Sequence, residues 1–309
     1  MPDARPLLGL VGCGAWGRHI LRDLAAIGPV AVVARSAASR ARAAAEPQAI
    51  VLPDLDALVA RRPAGVVVAT PTLSHAAVLE ELLLRLPGVP LFCEKPLTNS
   101  LAAAQRLASL GGERLFSMDK WRYHPGVQRL SAHARSGTFG RVLGLRTERL
   151  AWGSAGRPEG TAWHLLPHDF AIALEILGVL PPLRSALVQR DAAAVVTGVS
   201  AVLGATPWVE IRVSSHHPIR LRRVQLVCEQ AIVSLDDGYA DALTIASGPL
   251  DEGDREPERR SEPIPDALPL AAELRAFADW VSGTGPAPKS GITDTLTVLA
   301  RIEEALAHG

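Results

Sequence analysis

The chain has 309 residues, of which 48% are hydrophobic and 21% charged, and its 32 basic residues balance its 32 acidic ones. This composition excludes a disordered chain and gives no net field that would favour nucleic acid or an anionic membrane, while the length allows two domains. The three cysteines lack metal-like spacing and no apolar run approaches the ~20 residues of a membrane span, so we expect a cytoplasmic protein. The first predicted strand begins near Leu7, which leaves no room for a signal peptide.

The first part of the chain alternates short apolar runs with helical stretches. Strands are predicted over 7–11, 30–34, 49–52, 65–70, 91–93 and 115–118. Helices are predicted over about 16–27, 38–45, 55–60, 75–86 and 101–110. This alternation requires right-handed crossovers, so it predicts an α/β domain over 1–122 with a doubly wound parallel (Rossmann) sheet.

Residues 123–309 follow a different pattern. Strand-like alternation is found over 141–150, 209–214, 219–228 and 232–235, and helices are predicted over about 126–134 and 168–177. The polar segment 251–268 is predicted to be an exposed loop, and two terminal helices follow it. We therefore predict a second, α+β domain built on a mainly antiparallel open sheet.

A glycine-rich turn, Gly12-Cys13-Gly14-Ala15-Trp16-Gly17, follows the first predicted strand. In such a strand–turn–helix the first glycine permits the tight turn, the second lets the backbone approach a pyrophosphate, and the third lets the helix pack on the strand. The helix N terminus also offers N–H groups and partial positive charge to the phosphates. The spacing predicts a dinucleotide site formed by Gly12, Gly14, Ala15, Trp16 and Gly17.

The residues at the end of the second predicted strand indicate whether NAD(H) or NADP(H) binds. A site for NAD usually has an acidic residue there to hold the ribose hydroxyls, but this chain has Val33-Ala34-Arg35-Ser36. Arg35 can pair with a 2′-phosphate, Ser36 can donate a hydrogen bond, and Arg40 follows one helical turn later. The alternative is that both arginines are surface charges. The missing acid favours NADP(H) over NAD(H).

Further motifs carry a resemblance to a known family. They are Ala69-Thr70-Pro71 followed by His75, Glu94-Lys95-Pro96, Arg122-Tyr123-His124-Pro125, and Pro167-His168-Asp169 leading into a helix that ends at Leu177-Gly178. With the glycine turn and the closing helices they extend over nearly the whole chain, and Glu-Lys-Pro is the most specific of them. The chain resembles the glucose–fructose oxidoreductase and inositol dehydrogenase (Gfo/Idh/MocA) family.

This resemblance implies roles for several residues. The Thr70-Pro71 loop would border the nicotinamide, with His75 and Glu94 also at the cofactor site, and Lys95 would be the proton donor or acceptor beside it. The second domain would cover the nicotinamide with an open sheet whose far side pairs subunits, so a homodimer or homotetramer is expected.

Lys95 is also the leading catalytic candidate on chemical grounds. Reduction of a ketone by hydride leaves an oxyanion, which needs a proton and electrostatic stabilisation. A lysine at the carboxyl edge of a doubly wound sheet, where such sheets bind ligands, suits both tasks. The alternative is a solvated loop charge.

The segment Trp163-His164-Leu165-Leu166-Pro167-His168-Asp169 departs from the family pattern. Related proteins carry D-x-G-x-H here, whereas this chain has His164 at the Asp position and Leu166 at the Gly position. His168 remains the candidate donor to the reacting oxygen, and His164 either replaces the Asp or fills space. No third ligand accompanies the two histidines, so no metal site is predicted.

The predicted function is an NADP(H)-dependent oxidoreductase of a carbonyl or hydroxyl carbon in a sugar, sugar nucleotide or cyclitol. Lys95, His168 and His164 are the catalytic candidates, and Lys120, Tyr123, Trp163 and His168 the substrate-binding candidates. The missing Asp and the cofactor preference favour reduction. Two alternatives remain: a nucleotide-binding regulator without turnover, and a reductase of a non-sugar ligand such as an imine or linear tetrapyrrole.

Overall fold

The computed structural model describes residues 5–153, 159–248 and 256–308. The strands are β1 Leu8–Val11, β2 Val30–Val33, β3 Ala49–Leu52, β4 Gly65–Val68, β5 Leu91–Glu94, β6 Leu115–Met118, β7 Val142–Trp152, β8 Leu183–Arg190, β9 Val196–Leu203, β10 Trp208–Ser214, β11 His216–Cys228, β12 Ala231–Leu235, β13 Ala242–Ser247 and β14 Glu258–Pro263. The helices are α1 Gly17–Ala25, α2 Ala37–Ala44, α3 Leu55–Ala60, α4 Thr72–Arg85, α5 Leu101–Gly111, α6 Pro125–Ser136, α7 Gly160–Leu177, α8 Pro269–Val281 and α9 Ile292–Ala307.

The first sheet is parallel and has the strand order β3-β2-β1-β4-β5-β6. The order reverses direction at β1, so the carboxyl ends of β1 and β4 lie side by side, which is where sheets of this kind bind ligands. Side chains of Ser36, Asp54 and Ser100 cap α2, α3 and α5 by accepting backbone N–H bonds. The predicted doubly wound sheet is confirmed.

The chain forms two compact units. The first extends to Lys120 and also contains Leu268–Leu296, whereas the second contains Trp121–Ala267 and the chain from Thr297. Helix α8 therefore belongs to the first unit, whereas the predicted division into 1–122 and 123–309 assigned it to the second domain.

Packing explains the position of α8. Phe277 stacks on Phe92 with ring centroids 5.0 Å apart, and both side chains are buried in the core of the first unit. Gly65 makes room for this contact, because a Cβ there would lie 2.8 Å from Phe277 Cζ. The apolar face of α8 is buried against a sheet whose strands are far from α8 in the sequence. The hydrophobic pattern of the helix predicts a buried face but not the sheet that covers it.

The second sheet has the order β14-β13-β12-β11-β7-β10-β9-β8, and its described strand pairs are antiparallel except for β7 with β10. The predicted mainly antiparallel sheet is confirmed, but strands β8, β9, β13 and β14 were missed. Strands β8 and β14 are the sheet edges, and their polar, exposed residues hide the alternation of a strand. Part of the predicted loop 251–268 is thus β14, while 249–255 lies outside the described residues.

Helix α7 also differs from the prediction, because it begins at Gly160 rather than near His168 and includes Pro167 in its interior. Proline removes one helical hydrogen bond and usually ends a helix, which is why the sequence predicted a later start. Within the described ranges, no helix is both long and apolar enough to cross a membrane.

Candidate functional site

The glycine turn after β1 is shaped by backbone contacts. Gly12 has φ +99°, and a Cβ there would lie 2.6 Å from the carbonyl oxygen of Ala69. A Cβ on Gly17 would lie 2.5 Å from the carbonyl oxygen of Gly12. A Cβ on Gly14, in contrast, would meet no atom within 4 Å. Two glycines therefore permit close packing, and the third borders open space.

That open space fits a dinucleotide pyrophosphate. Helix α1 begins directly after the turn, its N-cap residue Trp16 makes no side-chain capping bond, and Ala15 and Trp16 are exposed. The N–H groups and partial positive charge of the helix end can thus face phosphate oxygens. Arg42 Nη1 also lies 3.5 Å from the carbonyl oxygen of Cys13. Sequence reasoning missed Arg42, because only the packing of α2 brings it to the turn.

The residues after β2 differ in their availability to a ligand. The Ser36 hydroxyl caps α2 by accepting the Ser39 N–H at 3.1 Å. Arg40 Nη1 donates to the carbonyl oxygen of Arg35 at 2.5 Å, so this guanidinium folds back on the backbone. The Arg35 side chain is exposed at the carboxyl end of β2. Of the three predicted residues, Arg35 is best placed to meet a ribose substituent.

Glu94 at the end of β5 is connected to the glycine turn. The indole Nε1 of Trp16 donates to Glu94 Oε1, and Glu94 Oε2 accepts the backbone N–H of Lys95 at 3.1 Å. Lys120 Nζ lies 4.6 Å from the centroid of the Trp16 ring, within range of a cation–π contact. Lys95 is half-buried beside them. The structure therefore brings Trp16, Glu94, Lys95 and Lys120 together at the carboxyl edge of the sheet.

A buried carboxyl on α8 adjoins this cluster. Glu273 is 1% exposed, and its Oε2 has no hydrogen-bond partner among the described residues. Burial, followed by the charges of Glu94 and Asp119, holds the pKa of Glu273 well above its ordinary value, while Lys120 opposes the shift. Burial likewise raises the pKa of Glu94 despite the opposing charge of Lys95. Sequence reasoning missed Glu273 because α8 was assigned to the second domain.

His75 connects two loops of the predicted cofactor site. Its Nδ1 lies 2.9 Å from the carbonyl oxygen of Pro96 and its Nε2 lies 2.8 Å from that of Thr70. The ring is 1% exposed, so it lies behind the loops rather than on their surface, whereas Pro71 is exposed. His75 therefore fixes the position of the loop that follows Lys95 relative to the loop that follows β4.

In the second unit, α7 carries the other catalytic candidates on one face. Between Thr161 and Ile176, Trp163, His164 and His168 are half-buried and the other residues are buried. His164 Nδ1 lies 3.3 Å from Glu159 Oε1. The sequence predicted that this segment lacks a carboxylate beside its histidines, but Glu159 supplies one from the start of the helix. The late predicted start of α7 concealed it.

Asp169 and Tyr123 have different surroundings. Asp169 lies in the interior of α7, where its Oδ2 accepts a hydrogen bond from Arg149 Nε at 2.7 Å. Tyr123 is half-buried in a short 3₁₀ turn over 120–123. Within the described ranges, no group of three or more His, Cys, Asp or Glu side chains is arranged to hold a metal ion.

Residues 7–114 match the model of an oxidoreductase family with an NAD-binding Rossmann fold, Gfo/Idh/MocA. A myo-inositol dehydrogenase from Streptomyces leeuwenhoekii is 33% identical over 188 residues, which are 55% of this chain and 55% of that protein. The chain thus matches about half the length of this curated relative.

Solved structures show that the fold is shared along almost the whole chain. UDP-N-acetylglucosamine 3-dehydrogenase GnnA from Acidithiobacillus ferrooxidans has a TM-score of 0.84 at 24% identity, covering 98% of this chain and 97% of that one. A 3-ketoreductase from Actinomadura kijaniata, in complex with TDP-benzene and NADP, has a TM-score of 0.80 at 19% identity and covers 98% of both chains.

The buried Glu273 carboxyl predicts a pH dependence of stability. A carboxyl whose folded pKa is raised stabilises the fold below its ordinary pKa of about 4.5, and this stabilisation is lost as pH rises toward the folded value. We expect Glu273→Gln to raise the thermal unfolding midpoint by about 2 °C or more at pH 8, with a smaller gain near pH 5. Exposed Glu113, replaced by Gln, is the matched control and leaves the midpoint unchanged. Equal pH profiles for Glu273→Gln and the wild type would contradict this assignment.

Proposed function

We propose that the protein is an NADP(H)-dependent oxidoreductase, since residues 7–114 match the model of the Gfo/Idh/MocA oxidoreductase family with its NAD-binding Rossmann fold. It transfers a hydride to or from a carbonyl or hydroxyl carbon of a sugar, sugar nucleotide or cyclitol. The observation that carries this proposal is the position of Lys95. Its half-buried side chain adjoins Glu94, whose carboxylate is bonded to Trp16 of the glycine turn.

Lys95 supplies the proton chemistry in this proposal. A bound nicotinamide supplies the hydride chemistry, and the residues of the chain orient the substrate and handle the proton. The Lys95 ammonium stabilises the developing oxyanion and donates a proton to it, or accepts one in the reverse direction. The Glu94 side chain accepts a hydrogen bond from the Lys95 backbone N–H, and the His75 ring contacts the carbonyl oxygen of Pro96. These two contacts restrain the loop that carries the Lys95 amine.

His168 is the second proton-handling residue that we propose. It lies one helical turn after His164, on the same half-buried face of α7. Glu159 beside His164 provides the carboxylate that related sequences carry on the helix itself. Tyr123, Trp163 and Lys120 are the proposed substrate contacts.

We also infer a cytoplasmic homodimer or homotetramer that pairs through the second sheet. The support is the exposure of two large apolar side chains on β8 and β9, Leu187 at 62% and Val202 at 39%. Both residues point to the same side of the sheet, because the antiparallel register aligns Leu187 with Ser200, two residues from Val202.

Replacement of Lys95 by Met tests the catalytic proposal. We expect kcat to fall by about 10²- to 10⁴-fold, since general acid–base catalysis contributes that much, while the Kd for NADPH changes less than about threefold. Turnover is measured with a panel that includes myo-inositol and UDP-N-acetylglucosamine, and NADPH affinity by calorimetry. Retained turnover in Lys95→Met would refute the role of the amine. If the wild type binds NADPH but turns over no compound of the panel, the alternative function of a nucleotide-binding regulator without turnover is favoured.

Replacement of Arg35 by Ala tests the cofactor preference. Loss of a charged contact to the 2′-phosphate is expected to weaken NADPH by about 10- to 100-fold and NADH by less than about threefold. Arg61→Ala is the matched control, because Arg61 is an exposed arginine at the end of α3, which leads to the amino end of β4. Equal losses for the two cofactors in Arg35→Ala would exclude the 2′-phosphate contact.

A further inference from the structure

Two arginines face each other across neighbouring strands of the second sheet. Strands β7 and β11 are antiparallel, and their register places Arg149 directly opposite Arg222. Side chains of directly opposed residues project to the same face of a sheet, and like charges in such a pair repel. The pair therefore needs negative charge close to it.

Arg149 has one such partner. Its Nε donates to Asp169 Oδ2 at 2.7 Å, with side-chain exposures of 7% and 1%. The guanidinium carbon also lies 4.6 Å from the centroid of the Trp121 ring. Burial raises the pKa of Asp169, and the positive charge of Arg149 opposes that shift. Arg149 thus engages Asp169 Oδ2, while Asp169 Oδ1 has no hydrogen-bond partner among the described residues and the charge of Arg222 also acts on this carboxyl.

Arg222, in contrast, forms no ion pair with a carboxylate of the described residues. It is half-buried, its Nη1 lies 3.3 Å from the hydroxyl of Tyr239, and no described carboxylate is within ion-pair distance of it. Burial lowers its pKa, and the charges of Arg149 and Arg220 lower it further. The charges of Arg149 and Arg220 thus both act on Arg222, and Asp169 is the acidic neighbour of Arg149 and Arg222. This leaves an excess of positive charge in a partly buried environment.

We propose that Arg222, supported by Arg149, forms an anion subsite that binds a phosphate group of the substrate. This inference rests on the proposed function and specifies its substrate class, a phosphorylated sugar rather than a neutral cyclitol. A guanidinium offers two parallel donors that match two phosphate oxygens. Asp169, which anchors Arg149, is the neighbour of His168 on α7. The Tyr239 ring, 78% exposed and 5.9 Å from the Arg222 guanidinium carbon, offers an aromatic surface beside the subsite.

Inorganic pyrophosphate is the probe for this subsite. Binding is measured by calorimetry on the full-length protein with saturating NADPH, which occupies the glycine turn. Arg222→Gln is expected to weaken pyrophosphate binding by about 10- to 100-fold, since a charged, bidentate contact is lost. Arg223→Gln is the matched control, because the neighbouring Arg223 already pairs with Glu148 and is expected to leave binding unchanged.

The variants also separate binding from folding. Arg222→Gln removes the repulsion with Arg149, so its unfolding midpoint is expected to equal or exceed that of the wild type. Arg222→Lys keeps the positive charge but lacks the two parallel N–H donors of the guanidinium. It is expected to lose less affinity for pyrophosphate than Arg222→Gln. No pyrophosphate binding by the wild type, or equal binding by Arg222→Gln and Arg223→Gln, overturns the proposal.

A kinetic measurement connects the subsite to the substrate. For a phosphorylated sugar, Arg222→Gln is expected to raise KM with little change in kcat, while KM for a neutral cyclitol is unchanged. Tighter binding of UDP than of glucose 1-phosphate identifies a sugar nucleotide as the source of the phosphate, and the reverse order identifies a sugar phosphate. Pyrophosphate binding requires no turnover. The binding experiment therefore tests the anion subsite even if the proposed catalytic function is wrong.

Discussion

The close backbone contact around Gly12 and Gly17 is the constraint on which the rest of the first unit depends. A side chain at either position would overlap a carbonyl oxygen, of Ala69 in one case and of Gly12 in the other. Helix α1 can therefore begin directly against the carboxyl edge of the sheet, with its N terminus facing the space beside Gly14. The absence of side chains thus leaves open the space in which we propose that the dinucleotide phosphates bind, before any charged residue contributes.

The same turn organises the charged groups around it. Trp16, the residue before α1, reaches Glu94 on β5, and Lys120 lies over the indole ring. Glu94 and the buried Glu273 both have raised pKa values, because burial at this edge disfavours carboxylate charge. Lys95 is held in this environment by a loop that is bonded at both sides. Such restraint favours a reactive amine over a freely moving surface lysine, since catalysis depends on fixed orientation.

Short-range patterns predicted the parts of the molecule that short-range physics controls. The alternation of apolar runs and helices predicted the parallel sheet, and the glycine spacing located the turn. Residues that reach the site by packing were not predicted: Arg42 through α2, Glu273 through α8, and Glu159 through the early start of α7. Pro167 suggested a helix boundary where the surrounding packing tolerates a proline, and the polar strand β14 resembled a loop because an edge strand has no apolar face to display.

The most direct test of this account is the affinity of Gly14→Ala for NADPH, measured beside its thermal unfolding. The added methyl group meets no protein atom within 4 Å, so the unfolding midpoint should match that of the wild type. It occupies the space assigned to the pyrophosphate, so NADPH should bind at least about 10-fold more weakly. Unchanged NADPH affinity in a normally folded Gly14→Ala protein would contradict the central claim that this open space receives the dinucleotide.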